Sequence, residues 1–455
     1  MLSYNRLSLK FVVLKPIHIN DVRLLNSNVW EWSMLIPSTG LLEILHGAEM
    51  GIWTERLFDG SIALVAKLPQ TIIKRIYRGV ECKLVTDVMK VEKYSILYLG
   101  FIVCDDADNP LVLIQPVGIE KALTEYQQMF TTSSVKLHIF DEFCHPLLGA
   151  DCNFDPTMAV NVFEKIMSAS PQVLESVASD TDSINDFGHA VVKGVDMFQG
   201  DLEAIKIGRS TISVPDTNCL IPLSLIVHDP PNGFSVDDKG NTVEFTLTQK
   251  DEGAVFEELI SFTLRDFHLQ HAYLRPIIIV EKKERELADF MALNHSDNTI
   301  ILIQAKATAS LIDRLDKSGA KRSSSIEKKV KASLKQLEGA IKQIRSGNQI
   351  YDCNHNKIKI PEYSHALIHG ISIVSELYPS VDWKKIEKDV NLLSDNKKYR
   401  TLFHIVDLQE LQQLVKNSSS AKEFHNYLVG RWLKVKMSGT AYVRSRTRQP
   451  WDNEN

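Results

Sequence analysis

ELADFMALNHSDNTIILIQAKA, residues 286–307, is the most informative stretch of this sequence. Two runs of alternating apolar residues flank NHSDN at 294–298, and such a cluster of turn-forming residues predicts an antiparallel β-hairpin. If the hairpin is symmetric about the third and fourth residues of that cluster, the numbers of paired residues add up to 593. Asp289 is then opposite Gln304, and Lys306 shares their face because side chains alternate along a strand.

An acid, an amide and an amine are therefore predicted to converge at one strand end within otherwise apolar sequence. A hard divalent cation such as Mg²⁺ binds oxygen ligands. Asp289 would supply negative charge, and the Gln304 side chain and the Ala305 carbonyl would supply neutral oxygens. Lys306 could orient or deprotonate a water molecule, or stabilise charge in a phosphoryl transition state. These residue types predict phosphodiester hydrolysis that depends on Mg²⁺ or Mn²⁺.

The segments around the hairpin predict alternating helices and strands. A helix is expected over 251–267, and strand-like segments follow at PIIIVEK, ELADFMAL and TIILIQAKA. Next comes a long helix over 323–347, which begins at a serine and ends at a glycine. Two buried strands and a closing pair of helices are then predicted, in the stretches SHALIHGISIVSEL, YRTLFHIVDL and QELQQLVKNSSSAKEFHNYLVGRWL.

This arrangement resembles the PD-(D/E)XK nuclease superfamily, whose core is a helix, a three-stranded meander, a helix and a further strand. The resemblance covers roughly residues 250–380 and can extend to 433. It places the acid of the family motif on Asp289 and the (Asp/Glu)-x-Lys triplet on residues 304–306. With glutamine at the first position of the triplet, the motif is similar to that of the restriction-endonuclease branch typified by Mrr. The substitution removes one negative charge from the implied metal site.

A helix with a Gly-x-x-Phe-Glu signature is common in that branch, and GAVFE at 253–257 matches it. The resemblance therefore implies that Glu257 is a further catalytic and metal-binding acid, with Glu258 as the alternative. The resemblance also implies a glutamine on the helix after the triplet, at Gln336 or Gln343.

The region from Arg314 to Arg345 is strongly basic, with ten Lys and Arg residues against three acids. This local excess of positive charge, directly after the predicted catalytic strand, favours contact with nucleic-acid phosphates over a merely solvated helix face. The residues expected to bind nucleic acid are Lys321, Arg322, Lys328, Lys329, Lys331, Lys335, Gln336 and Lys342.

The sequence before the nuclease-like part predicts further domains that are separate from it. Residues 1–168 are expected to form a mixed α+β recognition or regulatory domain, which could bind a protein partner. Residues 187–250 should be a β-rich connection with a hairpin around 238–241. The nuclease-like α/β domain then spans 251–433, and a basic, flexible tail follows at 434–455.

Composition limits the functional classes. The chain has 455 residues, of which 44% are hydrophobic and 24% charged, and its net charge is -5. A uniformly basic nucleic-acid coat is thereby excluded. Six cysteines without a CxxC pair favour free thiols in a reducing cytoplasm, and no stretch is apolar enough to predict a membrane span.

Together these features predict a metal-dependent DNA endonuclease, and the resemblance implies a role in microbial restriction or antiphage defence and a homo-oligomeric state. Two alternatives remain open at this stage. One is a nuclease-fold protein that binds nucleic acid with weak or no catalysis. The other is a protein–protein scaffold in which the basic helix binds an acidic partner.

Overall fold

The computed structural model describes most of the chain between residues 38 and 443. The described ranges are 38–169, 208–209, 220–228, 232–236, 242–246, 252–265 and 271–443, apart from gaps at 49, 58, 92–93, 106–109, 117–118, 281, 308–318, 361, 363–364, 379 and 396–399. All of these residues belong to one compact unit, Pro37–Asn455. This unit is a mixed α/β structure with several sheets and, within the described residues, nine helices.

The first part of the chain builds a nine-stranded mixed sheet with four helices. Its strands are β1 (Gly51–Arg56), β2 (Ile62–Lys67), β3 (Cys82–Val91), β4 (Tyr94–Val103), β5 (Leu111–Pro116), β6 (Ser134–Phe140), β7 (Pro146–Asn153), β8 (Gly208–Arg209) and β9 (Leu220–Val227). The strand order is β1-β2-β6-β7-β9-β3-β4-β5-β8. Its helices are α1 (Thr39–Gly47), α2 (Gln70–Tyr77), α3 (Ile119–Thr131) and α4 (Pro156–Ala169).

Strand β9 belongs to the nine-stranded sheet, across the boundary that the sequence predicts between the N-terminal domain and the connecting segment. It lies in the segment 187–250, which the sequence predicts to be a separate connection. Its first residues pair with β3 and its last residues pair with β7, so it joins the two parts of the nine-stranded sheet. The described part of this segment therefore completes the N-terminal core. The predicted hairpin is present as β10 (Asn232–Val236) and β11 (Thr242–Thr246).

The second part of the chain builds a five-stranded sheet in the order β12-β15-β16-β18-β19. These strands are β12 (His271–Leu274), β15 (Phe290–Asn294), β16 (Thr299–Lys306), β18 (Leu367–Val374) and β19 (Thr401–Asp407). The first three strands are antiparallel neighbours, whereas β16, β18 and β19 run parallel. The helices are α5 (Glu252–Arg265), α6 (Gly319–Arg345), α7 (Trp383–Ser394), α8 (Leu408–Lys416) and α9 (Ala421–Ser438).

Helices cover both faces of the five-stranded sheet because its central strands are apolar on both sides. Leu302 on one face of β16 belongs to a core with Val330 and Leu337 of α6. Ile303 on the other face belongs to a core with Phe256 of α5 and residues of α8 and α9. A three-layer arrangement results, as is usual for sheets with parallel central strands.

One strand assignment from the sequence is wrong. PIIIVEK was expected to join the hairpin as a meander strand, but it forms β13 (Ile277–Val280) in a separate sheet with β14 (Lys283–Glu286) and β17 (Ile350–Tyr351). The backbone turns at Arg275, whose φ is +45°, and the proline that follows cannot continue the hydrogen-bond ladder. The strand beside β15 is β12 instead.

The C-terminal boundary also differs from the expectation at 434. Helix α9 continues to Ser438 and ends at Gly439, which adopts the left-handed conformation (φ 63°). Ala441 then packs in the core with 2% exposure. The rest of the predicted tail, from residue 444, lies outside the described residues. Among the described helices, none has both the length and the apolar character needed to span a bilayer.

Candidate functional site

The hairpin of β15 and β16 has the register that the sequence predicts. Phe290 pairs with Ile303 and Met291 with Leu302, so the numbers of each pair add up to 593. Asp289 precedes the first of these pairs. Its Oδ2 atom accepts hydrogen bonds from Nε2 of Gln304 (2.6 Å) and from the backbone N–H of Ala305 (2.5 Å). The acid and the amide are therefore in direct contact, and both are buried.

Lys306 is at the end of the same strand. It follows Gln304 by two residues, so strand alternation places it on the same face, and it is half-buried. The backbone just beyond it is held by α6, because Nζ of Lys329 donates a hydrogen bond to the carbonyl oxygen of Ala307. Lys329 therefore contacts the chain next to the predicted catalytic lysine.

Glu257, the predicted acid of the upstream helix, is bound to an arginine. Its Oε2 atom accepts hydrogen bonds from Nε (3.2 Å) and Nη2 (2.5 Å) of Arg275. Helix α5 orients Glu257 because its neighbours Phe256 and Ile260 are buried against the sheet. The backbone N–H of Arg275 donates a hydrogen bond to the carbonyl oxygen of Asp289 (2.9 Å). Glu257 and Asp289 are thus linked through one arginine.

Glu286, at the exposed end of β14, is a further polar member of this site that the sequence prediction missed. Its pKa is raised to about 7, first by loss of solvent around the carboxyl group, then by a hydrogen bond with Asp289 and by the charge of Asp289. The positive charge of Arg275 acts in the opposite direction. The only signal in the sequence is its position three residues before Asp289, which the family pattern does not include.

The donor atoms of the site partly fit a hard divalent cation. Carboxylate, amide and backbone carbonyl oxygens are the ligands that Mg²⁺ and Mn²⁺ accept. The charge of Asp289 contributes to the raised pKa of Glu286, after loss of solvent and the hydrogen bond, and a cation would act in the opposite direction. However, no three His, Cys, Asp or Glu side chains within the described residues are arranged as a ready metal-binding group. The carboxylates of Asp289 and Glu257 instead have partners within the chain.

Helix α6 carries the predicted nucleic-acid contacts, and the structure separates them into groups. Five are exposed on the helix surface: Lys321, Lys328, Lys335, Gln336 and Lys342. The four lysines are seven residues apart, which places them in one row on the helix surface. This row lies opposite Val330 and Leu337, which pack against the sheet. It therefore faces away from Asp289.

Several of the predicted contacts on α6 have partners within the chain, including Lys342 of the exposed row, which forms an ion pair with Glu338 (2.6 Å). Lys331 forms an ion pair with Glu327 on the preceding turn (2.7 Å), and Lys329 is bonded to a carbonyl as described above.

Arg322 is incorrectly predicted as a nucleic-acid contact. Its guanidinium is buried and forms ion pairs with Asp105 (3.0 Å) and with Glu376. It also stacks over the ring of Tyr378, with its central carbon 4.1 Å from the ring centroid. Because Asp105 follows β4 and Glu376 follows β18, this arginine connects the two large sheets. Its role in the described structure is to join the two parts of the chain.

A second polar cluster lies on the opposite face of the five-stranded sheet. Nδ1 of His369 is 3.0 Å from Nε2 of His404, and Nε2 of His369 is 2.9 Å from Nδ1 of His425. His369 and His404 are almost fully buried. Burial lowers the pKa of His369 to about 3, with a smaller contribution from His425. The three rings form a chain of neutral hydrogen-bonded imidazoles.

Comparison with known proteins adds no relative from which a function could be transferred. The chain matches no protein-family model, no curated protein and no solved structure. The geometry of the site is therefore the basis for inferring a function.

Proposed function

We propose that this protein is a metal-dependent nuclease that hydrolyses phosphodiester bonds of DNA. The observation that carries the proposal is the contact of Asp289 with Gln304 and with the backbone N–H of Ala305, on the sheet face that Lys306 shares. A carboxylate, an amide and an amine at one strand end are the groups that such chemistry requires.

The order of elements supports the same proposal. Within the five-stranded sheet, helix α5 is followed by the antiparallel strands β12, β15 and β16, then by α6 and by β18, which runs parallel to β16, while β13, β14 and β17 of a separate sheet are inserted between them along the chain. This order is the one that the resemblance to the PD-(D/E)XK superfamily implies. Asp289 is next to the second of these strands and Gln304 is on the third, at the positions that the resemblance assigns.

The proposal gives each side chain a role. Asp289, with Glu257 and the neutral oxygens of Gln304 and Ala305, would hold Mg²⁺ or Mn²⁺. Bound there, a divalent cation supplies Lewis-acid stabilisation of the scissile phosphate and lowers the pKa of a water molecule. Lys306 orients that water or stabilises the charge that develops on the phosphate. The hydrogen bond from Gln304 Nε2 to Asp289 leaves the amide oxygen of Gln304 as its possible ligand atom.

Asp289→Asn tests the proposal with little change of shape. Purified full-length protein is incubated with supercoiled plasmid and either Mg²⁺ or Mn²⁺, and the initial rate of nicking is measured. Because Asn keeps an oxygen acceptor but removes the charge, we expect the rate to fall at least about 100-fold. Asp297→Asn is the matched control, since Asp297 lies at the turn of the same hairpin. Nicking by Asp289→Asn at the wild-type rate would show that another site or a contaminant cuts the plasmid.

Lys306→Ala tests the role of the amine separately. Loss of a group that positions or activates the nucleophile typically costs about 10²–10⁴-fold in rate. Lys283→Ala, which changes an exposed lysine of β14, is the control. An unchanged rate in Lys306→Ala would remove Lys306 from the mechanism while leaving the proposal for Asp289 open to its own test.

A second candidate function is nucleic-acid binding without efficient cleavage. Two observations favour it: Gln304 stands where the family motif has an acid, and Glu257 is bound to Arg275. The row of exposed lysines on α6 would then be the main binding surface. Fluorescence anisotropy with labelled duplex DNA, repeated over a range of salt concentrations, measures the number of phosphate contacts.

Lys328→Ala/Lys335→Ala tests that surface. If both lysines contact phosphates, the slope of log affinity against log salt should become less steep by about 2. Lys283→Ala/Lys359→Ala removes the same charge elsewhere and should leave the slope unchanged. Absence of DNA binding by the wild-type protein even at low salt would favour a protein-binding scaffold instead.

A further inference from the structure

The contact between Arg275 and Glu257 has the character of an ion pair held at the protein surface. Two nitrogens of the guanidinium contact one carboxylate oxygen, at 2.5 and 3.2 Å. The Arg275 side chain is 52% exposed and that of Glu257 is 27% exposed. An exposed pair of this kind is weak, and its arginine can move into solvent without disturbing a core.

The surroundings of Arg275 are acidic beyond its direct partner. The pKa of Arg275 is raised, first by the hydrogen bond to Glu257 and by the charge of Glu257, and further by Glu286 and Asp289. These three acids are the carboxylates of the candidate site. The guanidinium therefore supplies positive charge to this group of acids and occupies Glu257, one of the proposed metal ligands.

The backbone holds Arg275 at this place. Its φ of +45° lies in the left-handed region, which non-glycine residues seldom adopt. Its N–H is bonded to the carbonyl oxygen of Asp289, and the N–H of Leu287 is bonded to the carbonyl oxygen of Pro276. The arginine is thus attached to the segment that carries both Glu286 and Asp289. Movement of its side chain requires no movement of that backbone.

We propose that Arg275 is a built-in counter-ion of the candidate metal site, which neutralises Glu257 in the metal-free protein and leaves it when a divalent cation binds. This inference rests on the proposed metal-binding function. It accounts for the pairing of Glu257 with Arg275 in the structure. Arg275 then competes with the cation and weakens its binding without being one of its ligands.

The test is a titration of the metal-free, full-length protein with Mn²⁺, followed by electron paramagnetic resonance at fixed pH and ionic strength. Arg275→Asn removes the charge with a residue that tolerates positive φ. We expect this variant to bind Mn²⁺ about tenfold more tightly than the wild type, because one nearby repulsive charge is lost and one carboxylate is freed. The difference should shrink as salt is added.

Two further variants make the result specific. Arg285→Asn removes the same charge from an exposed arginine of β14 and should change the affinity less than twofold. Arg275→Lys keeps the charge and should remain within about threefold of the wild type. Thermal unfolding of each metal-free variant establishes that it is folded before the titration.

The outcomes separate this inference from the proposed function. Tighter Mn²⁺ binding in Arg275→Asn alone supports both. Measurable binding that is equal or weaker in Arg275→Asn than in the wild type overturns the counter-ion role and leaves the metal site standing. If no variant, including Arg275→Asn, binds Mn²⁺ at millimolar concentration, the metal site and the inference fail together.

Discussion

The buried histidine chain makes the stability of the protein depend on pH in a way that can be calculated. The folded protein holds His369 neutral, since its pKa is lowered to about 3 by burial, whereas an unfolded histidine titrates near pH 6.5. The folded state therefore binds fewer protons than the unfolded state below pH 6.5. The stabilising contribution of the neutral ring is fully present above pH 6.5 and is lost as the pH falls below it.

The size of this effect at pH 5 follows from the unfolded pKa alone. His369 remains neutral in the folded protein at pH 5, so its contribution to the free energy of unfolding falls by about 1.4 kcal/mol for each pH unit below 6.5. That gives about 2 kcal/mol between pH 7.5 and pH 5. Burial lowers the pKa of His404 well below 6.5, so His404 changes the stability in the same direction.

His369→Gln isolates the effect in urea unfolding measured at both pH values. The variant should be less stable than the wild type at pH 7.5, because His404 and His425 each lose a hydrogen-bond partner. Its additional loss of stability on acidification should be about 2 kcal/mol smaller than that of the wild type. His365→Gln, at an exposed histidine before the same strand, is the control for substitution itself.

Other titratable and charged groups surround the three histidines and are left in place by His369→Gln. His404 on β19, His425 and Arg431 on α9, and Asp297 in the hairpin turn remain in the variant. His369 contributes to the lowered pKa of His404, so the comparison removes that interaction together with the ring of His369. If the free-energy difference between wild type and His369→Gln is the same at pH 7.5 and pH 5, the neutral ring has no such linkage and the reasoning is refuted.

Three other substitutions test the packing that supports the site, each by urea or thermal unfolding. Leu337→Ala in the core of α6 should cost about 2–5 kcal/mol through the cavity it leaves, and a cost below about 1 kcal/mol would show that the helix repacks. Arg322→Leu should cost about 3–5 kcal/mol because the carboxylates of Asp105 and Glu376 lose this guanidinium, with Arg75 still 3.7 Å from Asp105, whereas Lys321→Leu at the exposed neighbouring position should have little effect. Gly370→Ala should cost about 1–3 kcal/mol, since its Cβ would lie 3.1 Å from the ring of Phe403, and an unchanged midpoint would mean that the ring moves freely.

Local sequence patterns predicted the hairpin accurately because its register depends on short-range features. A turn-forming cluster between two alternating runs fixes which residues pair, and a shift of one residue would move every side chain of β16 to the other face of the sheet, so that Gln304 would no longer face Asp289. The same periodicity predicted α5 and most of α6 and the strands β18 and β19. The contact of Asp289 with Gln304 was within reach of the sequence for this reason.

Other features depend on residues that are distant along the chain. The sequence did not indicate that β9 completes the N-terminal sheet, since its pairing with β3 spans more than a hundred residues. Charge alone also misassigned Arg322, because only the packing of the two sheets places Asp105 beside it. Burial and partners, which decide the role of a charged residue, are properties of the tertiary structure.

The sequence by itself determined the hairpin, its register and the set of chemical groups on one of its faces, because alternation and turn chemistry act over a few residues. Only the tertiary structure decided which partners those groups contact and how far they are buried. It brought Glu286 to Asp289, bound Glu257 to Arg275, and turned the lysine row of α6 away from the sheet. The physical reason is that charge, solvent access and hydrogen bonding at a site depend on every element that packs around it.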